Sequence, residues 1–197
     1  MIVRVRLLVV ALALLAPPTL AAAIPPAAAH APARVAAPAP DAGQHDFDFE
    51  WGRWTIDVRR LVHPLSGTHT WLHPTGFIHI VRPVWDGRAS LAELELDHPT
   101  PHFLGSLLHL YDPKAHLWKI YWASSKDGSI DPPLIGRFTN GHGEFHGHDT
   151  LNGKPIAVRL IYSAITPTSF RTEQAFSANG GKTWETNLIQ TFTRLSR

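Results

Sequence analysis

The chain has 197 residues, 18 Lys and Arg against 16 Asp and Glu, and no cysteine. Setting aside Arg4 and Arg6, which fall in an N-terminal leader, leaves 16 basic against 16 acidic residues. That balance offers no case for nucleic acid or an anionic membrane. The lack of cysteine excludes disulfides, a thiolate nucleophile and lipid attachment through a lipobox cysteine.

In chain order, the first segment reads as a secretory signal over residues 1–23. Arg4 and Arg6 form a positive start, Leu7 to Leu15 a short apolar run ended by Pro17 and Pro18, and Ala21 to Ala23 an Ala-x-Ala cleavage pattern. The run falls short of the ~20 residues that span a bilayer. After cleavage no membrane span is expected, and the compartment is periplasmic or extracellular. Residues 24–44 are Ala- and Pro-rich with almost no aromatic or charged residues, the composition of a disordered linker. The folded domain is expected over 45–197, large enough for one hydrophobic core.

The domain reads as strands almost throughout. His45 to Trp51 could form one helical turn plugging a barrel end. Strands are expected over Trp54–Leu61, Thr68–His73, Gly76–Val81, Arg88–Asp97, Ser106–Tyr111, Leu117–Ala123, Leu134–Thr139, His142–Thr150, Pro155–Ser163, Ser169–Ser177 and Thr183–Arg194. Turn signals separate them, among them Trp85-Asp86-Gly87, Asn140-Gly141, Asn152-Gly153 and Asn179-Gly180-Gly181. The fold class is therefore all-β, an antiparallel up-and-down barrel of about ten strands. Alternation assigns Trp118, Ile120 and Trp122 to one face, likewise Ile156 to Tyr162 and Phe170 to Phe176 at every second position. Trp184, Thr186, Leu188, Gln190 and Phe192 form the last such set. These are expected inward, with Lys119, Arg159, Arg171, Glu173, Glu185 and Asn187 outward.

Gly52-Arg53-Trp54 near the domain start and Arg194 near its end, with the antiparallel succession between them, resemble the calycin superfamily of lipocalin-like and fatty-acid-binding-protein-like barrels. The wider pattern is similar to an uncharacterised bacterial family within that superfamily. It runs through FDFEWGRW (47–54), Asp86-Gly87-Arg88, LYDPKAHLWKIYW (110–122), PPLIGRFTNGHGEFHGHD (132–149), GKPIAVR (153–159) and Glu173 to Arg194. The resemblance implies the fold and export, an arginine packed across the opening tryptophan, and no catalytic residues. Tyr162 and Thr172 depart from the pattern, where tryptophans are commoner. SANGGKTW (177–184) resembles a sialidase-type Asp-box with Asn179 in place of aspartate. A single copy argues for a structural hairpin rather than a glycosidase.

Among the 13 histidines, His142, Glu144, His146 and His148 share one strand face, with neighbours about 6.5–7 Å apart. Two imidazoles at that spacing can converge on a metal, so His146 and His148 are the candidate pair, but no metal is expected and the face reads as solvated. His69, His73 and His79 are expected at the surface or barrel rim. Glu93 and Glu95 read as a solvated acidic face beside inward Ala92, Leu94 and Leu96. No histidine follows His148, which argues against the C-terminal haem ligand of nitrobindin-like barrels, and no cofactor is expected.

The reading that follows is an exported barrel holding a small apolar or amphipathic molecule. Trp118, Trp122, Tyr162 and Gln174 are expected to line its pocket, with Arg159 and Glu173 as an anion anchor if that face turns inward. Gly52, Trp54, Asn179, Gly180, Gly181, Trp184 and Arg194 are the expected structural positions. An enzyme on the same barrel, using Arg159 and Glu173 or the histidine strand, is the alternative. A structural or interaction module with a filled barrel is a third reading. No nucleophile elbow, zinc-protease helix, P-loop or dinucleotide fingerprint is present.

Overall fold

The computed structural model describes residues 42–96 and 104–197. The leader, the linker as far as Asp41, and Asp97 lie outside the described residues. Two short 3-10 turns, Ala42–His45 and Asp48–Glu50, precede eleven strands: β1 (Gly52–Leu61), β2 (Trp71–Leu72), β3 (Phe77–Val84), β4 (Ala89–Leu96), β5 (Leu104–Asp112), β6 (Leu117–Ser124), β7 (Leu134–Thr139), β8 (His142–Leu151), β9 (Lys154–Ser163), β10 (Ser169–Ser177) and β11 (Glu185–Ser196). From β3 to β11 each strand pairs with the next in the chain, and β1 pairs with both β3 and β11. The sheet thus closes into a ten-stranded antiparallel up-and-down barrel. Closure gives every strand of the ring a neighbour on both sides.

The segment expected as a strand over Thr68–His73 contributes only two residues, and they lie outside the ring. β1 pairs with β3 only from Gly52 to Ile56, which leaves a free edge beyond; Leu72 and Trp71 pair there with Arg60 and Leu61. The Asn-Gly hairpins are built as their residues require. Asn140 and Gly141 have φ of 52° and 73°, and Asn152 and Gly153 have 52° and 75°, the left-handed pair that a tight two-residue turn needs.

Period-2 alternation holds until the last hairpin. Gln174 of β10 lies opposite Leu188, but the next residue, Ala175, lies opposite Thr186. Asn187 is therefore an extra residue in β11, a bulge that reverses the facing of everything before it. Leu188, Gln190 and Phe192 point inward as expected. Trp184 and Thr186, expected beside them, do not: Trp184 lies on the outer face under Arg159, with the guanidinium 4.8 Å from the ring centroid.

The N-terminal turns plug one end of the barrel. Phe47 is buried against His109 (ring centroids 4.2 Å), Trp118 (4.9 Å), Phe138 (4.9 Å), Phe145 (5.8 Å) and Tyr162 (5.4 Å). Trp118 Nε1 donates to the Gly43 carbonyl at 2.9 Å, so the packed structure reaches into the segment 24–44 that composition assigns to the linker. Arg194 holds the plug. Its guanidinium lies 3.9 Å from the Trp54 ring centroid, donates to the carbonyls of Phe49 and Trp51 at 2.6 Å each, and through Nε to Pro167 at 2.6 Å. Gly52 has φ of 119°, and a Cβ there would strike the Ser196 carbonyl and come within 2.9 Å of Arg194 Nη1. This is the physical content of the Gly-x-Trp opening.

Replacing Arg194 with Ala removes a cation–π contact and three charge-assisted donations, and should lower unfolding free energy by about 2–4 kcal/mol. Arg194→Lys should recover little of the loss, because an ammonium cannot bridge two carbonyls in the plane of a fork. Urea titration followed by tryptophan fluorescence measures both; a lysine variant as stable as the parent would refute the bridging role.

Candidate ligand-binding site

The side chain that enters the barrel at the plug is Glu50. Its turn cannot rotate, because three successive carbonyls are captured: Phe49 and Trp51 by Arg194, and Glu50 itself by Trp54 Nε1 at 2.7 Å. On β3, alternation places His79 between the inward Phe77 and Val81; on β5 it places His109 between Leu107 and Tyr111. His79 Nε2 lies 3.1 Å from Glu50 Oε1, and His109 Nδ1 lies 3.3 Å from Glu50 Oε2. Glu50, His79 and His109 are 2%, 3% and 0% exposed, so a charged cluster sits within the core.

Burial alone would raise the Glu50 carboxyl. His109 and His79 oppose that by charge and by the His79 hydrogen bond, and together hold it below the ordinary value. His109 is pushed down, chiefly by burial and further by His79, against the pull of Glu50. The surroundings of His109 match that direction, with one ring face on Phe47 and Nε2 enclosed without a hydrogen bond. Tyr162 is raised well above the usual phenol range by burial and by the Glu50 charge.

Ser90 Oγ lies 3.0 Å from His109 Nδ1, which completes a Ser-His-Glu set in composition only. Ser90 and Glu50 face the same ring nitrogen, whereas proton relay from a serine needs the two partners on opposite nitrogens. Ser90 is also 1% exposed. The set is a buried structural network.

Beyond Glu50 and His79 the barrel is hollow. A cavity of about 570 Å³ runs from this floor toward the opposite end, walled mainly by apolar side chains such as Val58, Leu107, Leu160 and Leu188. Two polar pairs interrupt the wall: Thr172 Oγ1 donates to Gln190 Oε1 at 3.1 Å, and Asn187 Nδ2 to Gln174 Oε1 at 3.0 Å. Arg60, Asp131, His148 and Asp149 stand around the far end. Burial raises Asp131, helped by the nearby Asp149 and Asp127 charges.

Of the residues expected to line a pocket, Trp122, Tyr162 and Gln174 do. Trp118 does not; it is 1% exposed and packed beneath Phe47. Arg159 and Glu173 are not an inward anion anchor. Arg159 stacks on Trp184, and Glu173 pairs with Arg171 at 2.8 Å, because both belong to the outward set of their strands. His142, Glu144 and His146 are exposed, with Glu144 and His146 paired at 2.8 Å. His148 is exposed at the cavity mouth rather than joined to His146. Among the described residues no three His, Asp or Glu side chains converge as metal ligands. Glu93 pairs with Arg82 at 3.0 Å on the outside.

Asn179 ties the Asp-box-like turn. Its Oδ1 accepts from Thr183 N at 3.0 Å and from Ser177 Oγ at 2.9 Å, while Gly180 and Gly181 take φ of 69° and 86°. The motif is a hairpin device remote from the floor cluster.

His79 corrects the expectation of a surface or rim histidine, and Glu50 and His109 were not singled out at all. The usable signal is parity: Phe77, His79 and Val81 form one alternating set, and Leu107, His109 and Tyr111 another.

Fold and site together define a closed antiparallel β-barrel, plugged at one end and hollow at the other. No protein-family model and no curated protein matches the sequence. Among solved structures the chain is similar to an S-type phycobiliprotein lyase from Guillardia theta, with 13% identity and a TM-score of 0.49. The match covers 79% of this chain and 98% of that one. No helix among the described residues is long and apolar enough to cross a membrane.

The floor cluster sets a pH dependence. His109 is depressed in the folded state, so unfolded chains take up its proton first, and stability falls once pH drops below the ordinary histidine value of about 6.5. Glu50 is also depressed; its contribution is present above the ordinary carboxylate value and is lost as pH falls through the lower folded one. Both act in one direction, so urea midpoints should fall from pH 8 to 6 to 4, and Glu50→Gln should lose the more acidic of the two steps. A midpoint that rises between pH 7 and 5 contradicts the assignment.

Proposed function

We propose that this protein is an exported barrel that holds a small apolar or amphipathic molecule in its interior. The observation that carries the reading is the cavity. Its volume of about 570 Å³ falls within the ~300–1,000 Å³ typical of small-molecule sites, and an apolar wall with few fixed polar groups is their usual chemistry. The filled-barrel module loses its premise, since only the plugged half is filled. The enzyme built on Arg159 and Glu173, or on His142 to His146, has its groups outside the cavity.

The leader with Arg4, Arg6 and the Ala21–Ala23 cleavage pattern supports export, to the periplasm or beyond. The pattern from FDFEWGRW to Arg194 supports placing the chain in the uncharacterised bacterial group of calycins that it resembles. The charged residues at the mouth suit an amphipathic guest whose polar part is near solvent or passes that rim on entry.

Native mass spectrometry of gently purified protein should show an adduct of small-molecule mass, and a lipid panel should contain members that raise the melting temperature. Leu188→Trp, which extends a ring into the cavity, should weaken such binding at least ten-fold while leaving the far-UV circular dichroism unchanged. A bare mass together with no thermal shift across the panel would remove the reading.

A further inference from the structure

The floor of the cavity is an acceptor, and this fixes which end of a guest can be buried there. A carboxylate can only accept hydrogen bonds. With Glu50 ionised, the hydrogen in the 3.1 Å contact belongs to His79 Nε2. In a neutral imidazole the other nitrogen then carries a lone pair. His79 Nδ1 makes no hydrogen bond to a described residue, and His79 lines the cavity. Glu50 also lines it, and its Oε2 is enclosed without a hydrogen bond. Phe192 flanks the His79 ring at 5.3 Å and offers no polar group. Tyr162 and its cross-strand neighbour Thr172 also line the cavity, and a hydroxyl can donate or accept, so neither selects between guests.

Resting on the ligand-binding reading above, we propose that the Glu50–His79 pair selects guests whose buried end is a hydrogen-bond donor, namely an alcohol, phenol or enol hydroxyl, and rejects carboxylates of the same shape. The hydroxyl would donate to Nδ1 of neutral His79, whose single proton Glu50 keeps on Nε2. An ether in the same place would leave that nitrogen unpaired in an apolar enclosure. A carboxylate would in addition bring a second negative charge to the Glu50 side, where the low dielectric magnifies repulsion. His79 is thus the contact residue and Glu50 the positioning residue. The Thr172–Gln190 and Asn187–Gln174 pairs are hydrogen-bonded within themselves and uncharged, so they tolerate a chain passing by without supplying a counter-charge.

Decan-1-ol, decyl methyl ether and decanoate test this with a common chain and three polar ends, using calorimetry or displacement of a fluorescent dye from the full mature chain. The alcohol should bind about ten-fold more tightly than the ether, the worth of one buried hydrogen bond, and the carboxylate should be weakest. His79→Phe should bring alcohol and ether within about three-fold of each other by removing the same hydrogen bond. Glu50→Gln should relieve the rejection of decanoate, a readout that a loss of packing would not produce. Should His79→Phe fail to fold, Glu50→Gln alone decides. Three probes bound equally by the parent, decanoate bound best, or a preference unchanged in the variants would overturn the inference and leave the ligand-binding reading standing. No binding of any probe, with no adduct in native mass spectra, would end both.

Discussion

The clamp of Arg194 on the N-terminal turn is the interaction on which the rest depends. A short turn entering the end of a barrel brings carbonyl groups to a place with no ladder to receive them, and buried carbonyls without partners are costly. Here Arg194 and Trp54 take the carbonyls of residues 49, 50 and 51 in succession, and the guanidinium stacks on the same tryptophan that makes the middle bond. The clamp joins the first strand to the last beyond their own ladder pairing. It also decides which way Glu50 points, since a turn held by three consecutive carbonyls has little freedom to roll. Gly52 follows from the same geometry, for the chain must leave the clamp at a φ that a side chain resists and beneath Arg194 itself.

Placing a carboxylate in that core is unfavourable unless it is paired and hydrogen-bonded. His79 and His109 supply the pairing from two different strands, and the aromatic plug supplies the dry surroundings that make it strong. The cluster also divides the barrel. On its plug side Phe47, Trp118, Phe138 and Phe145 fill the interior with ring contacts, each worth about 0.5–1.5 kcal/mol beyond area burial. On its other side aliphatic and aromatic side chains form a wall that leaves space. The filled half therefore carries the stability and the hollow half is free to vary, with the charged cluster at the boundary where a guest would meet it.

The barrel was legible because period-2 alternation survives wherever strands are regular, and the Asn-Gly pairs marked the hairpins. Trp122, Tyr162 and Gln174 followed from the same rule. It failed at Asn187, since one inserted residue reverses a strand's facing and nothing in TWETNLIQTF signals an insertion; hence Trp184 was assigned inward and lies outside. Trp118 obeyed the parity and still misled, because parity gives the face and not the depth. Glu50 was illegible for another reason. Its burial depends on an arginine some 145 residues later, and no local pattern distinguishes it from Asp48 or Glu93.

His79 and His109 present the opposite case, in which the pattern was present and a rule about residue type overrode it. Density points to the group from His142 to His148, of which His142, Glu144 and His146 are the solvated face of β8 and His148 stands at the cavity mouth. The histidines buried against Glu50 are isolated ones, each with apolar residues two positions before and after. Density reports how polar a strand face is, whereas an ionisable residue within an inward-facing apolar set must have a partner in the core. In a barrel that partner comes from another strand or from the plug, because the interior is shared by all of them. For this chain the search for a site therefore begins with ionisable residues that interrupt inward sets, and His79 and His109 lead directly to the one carboxylate that the clamp turns toward them.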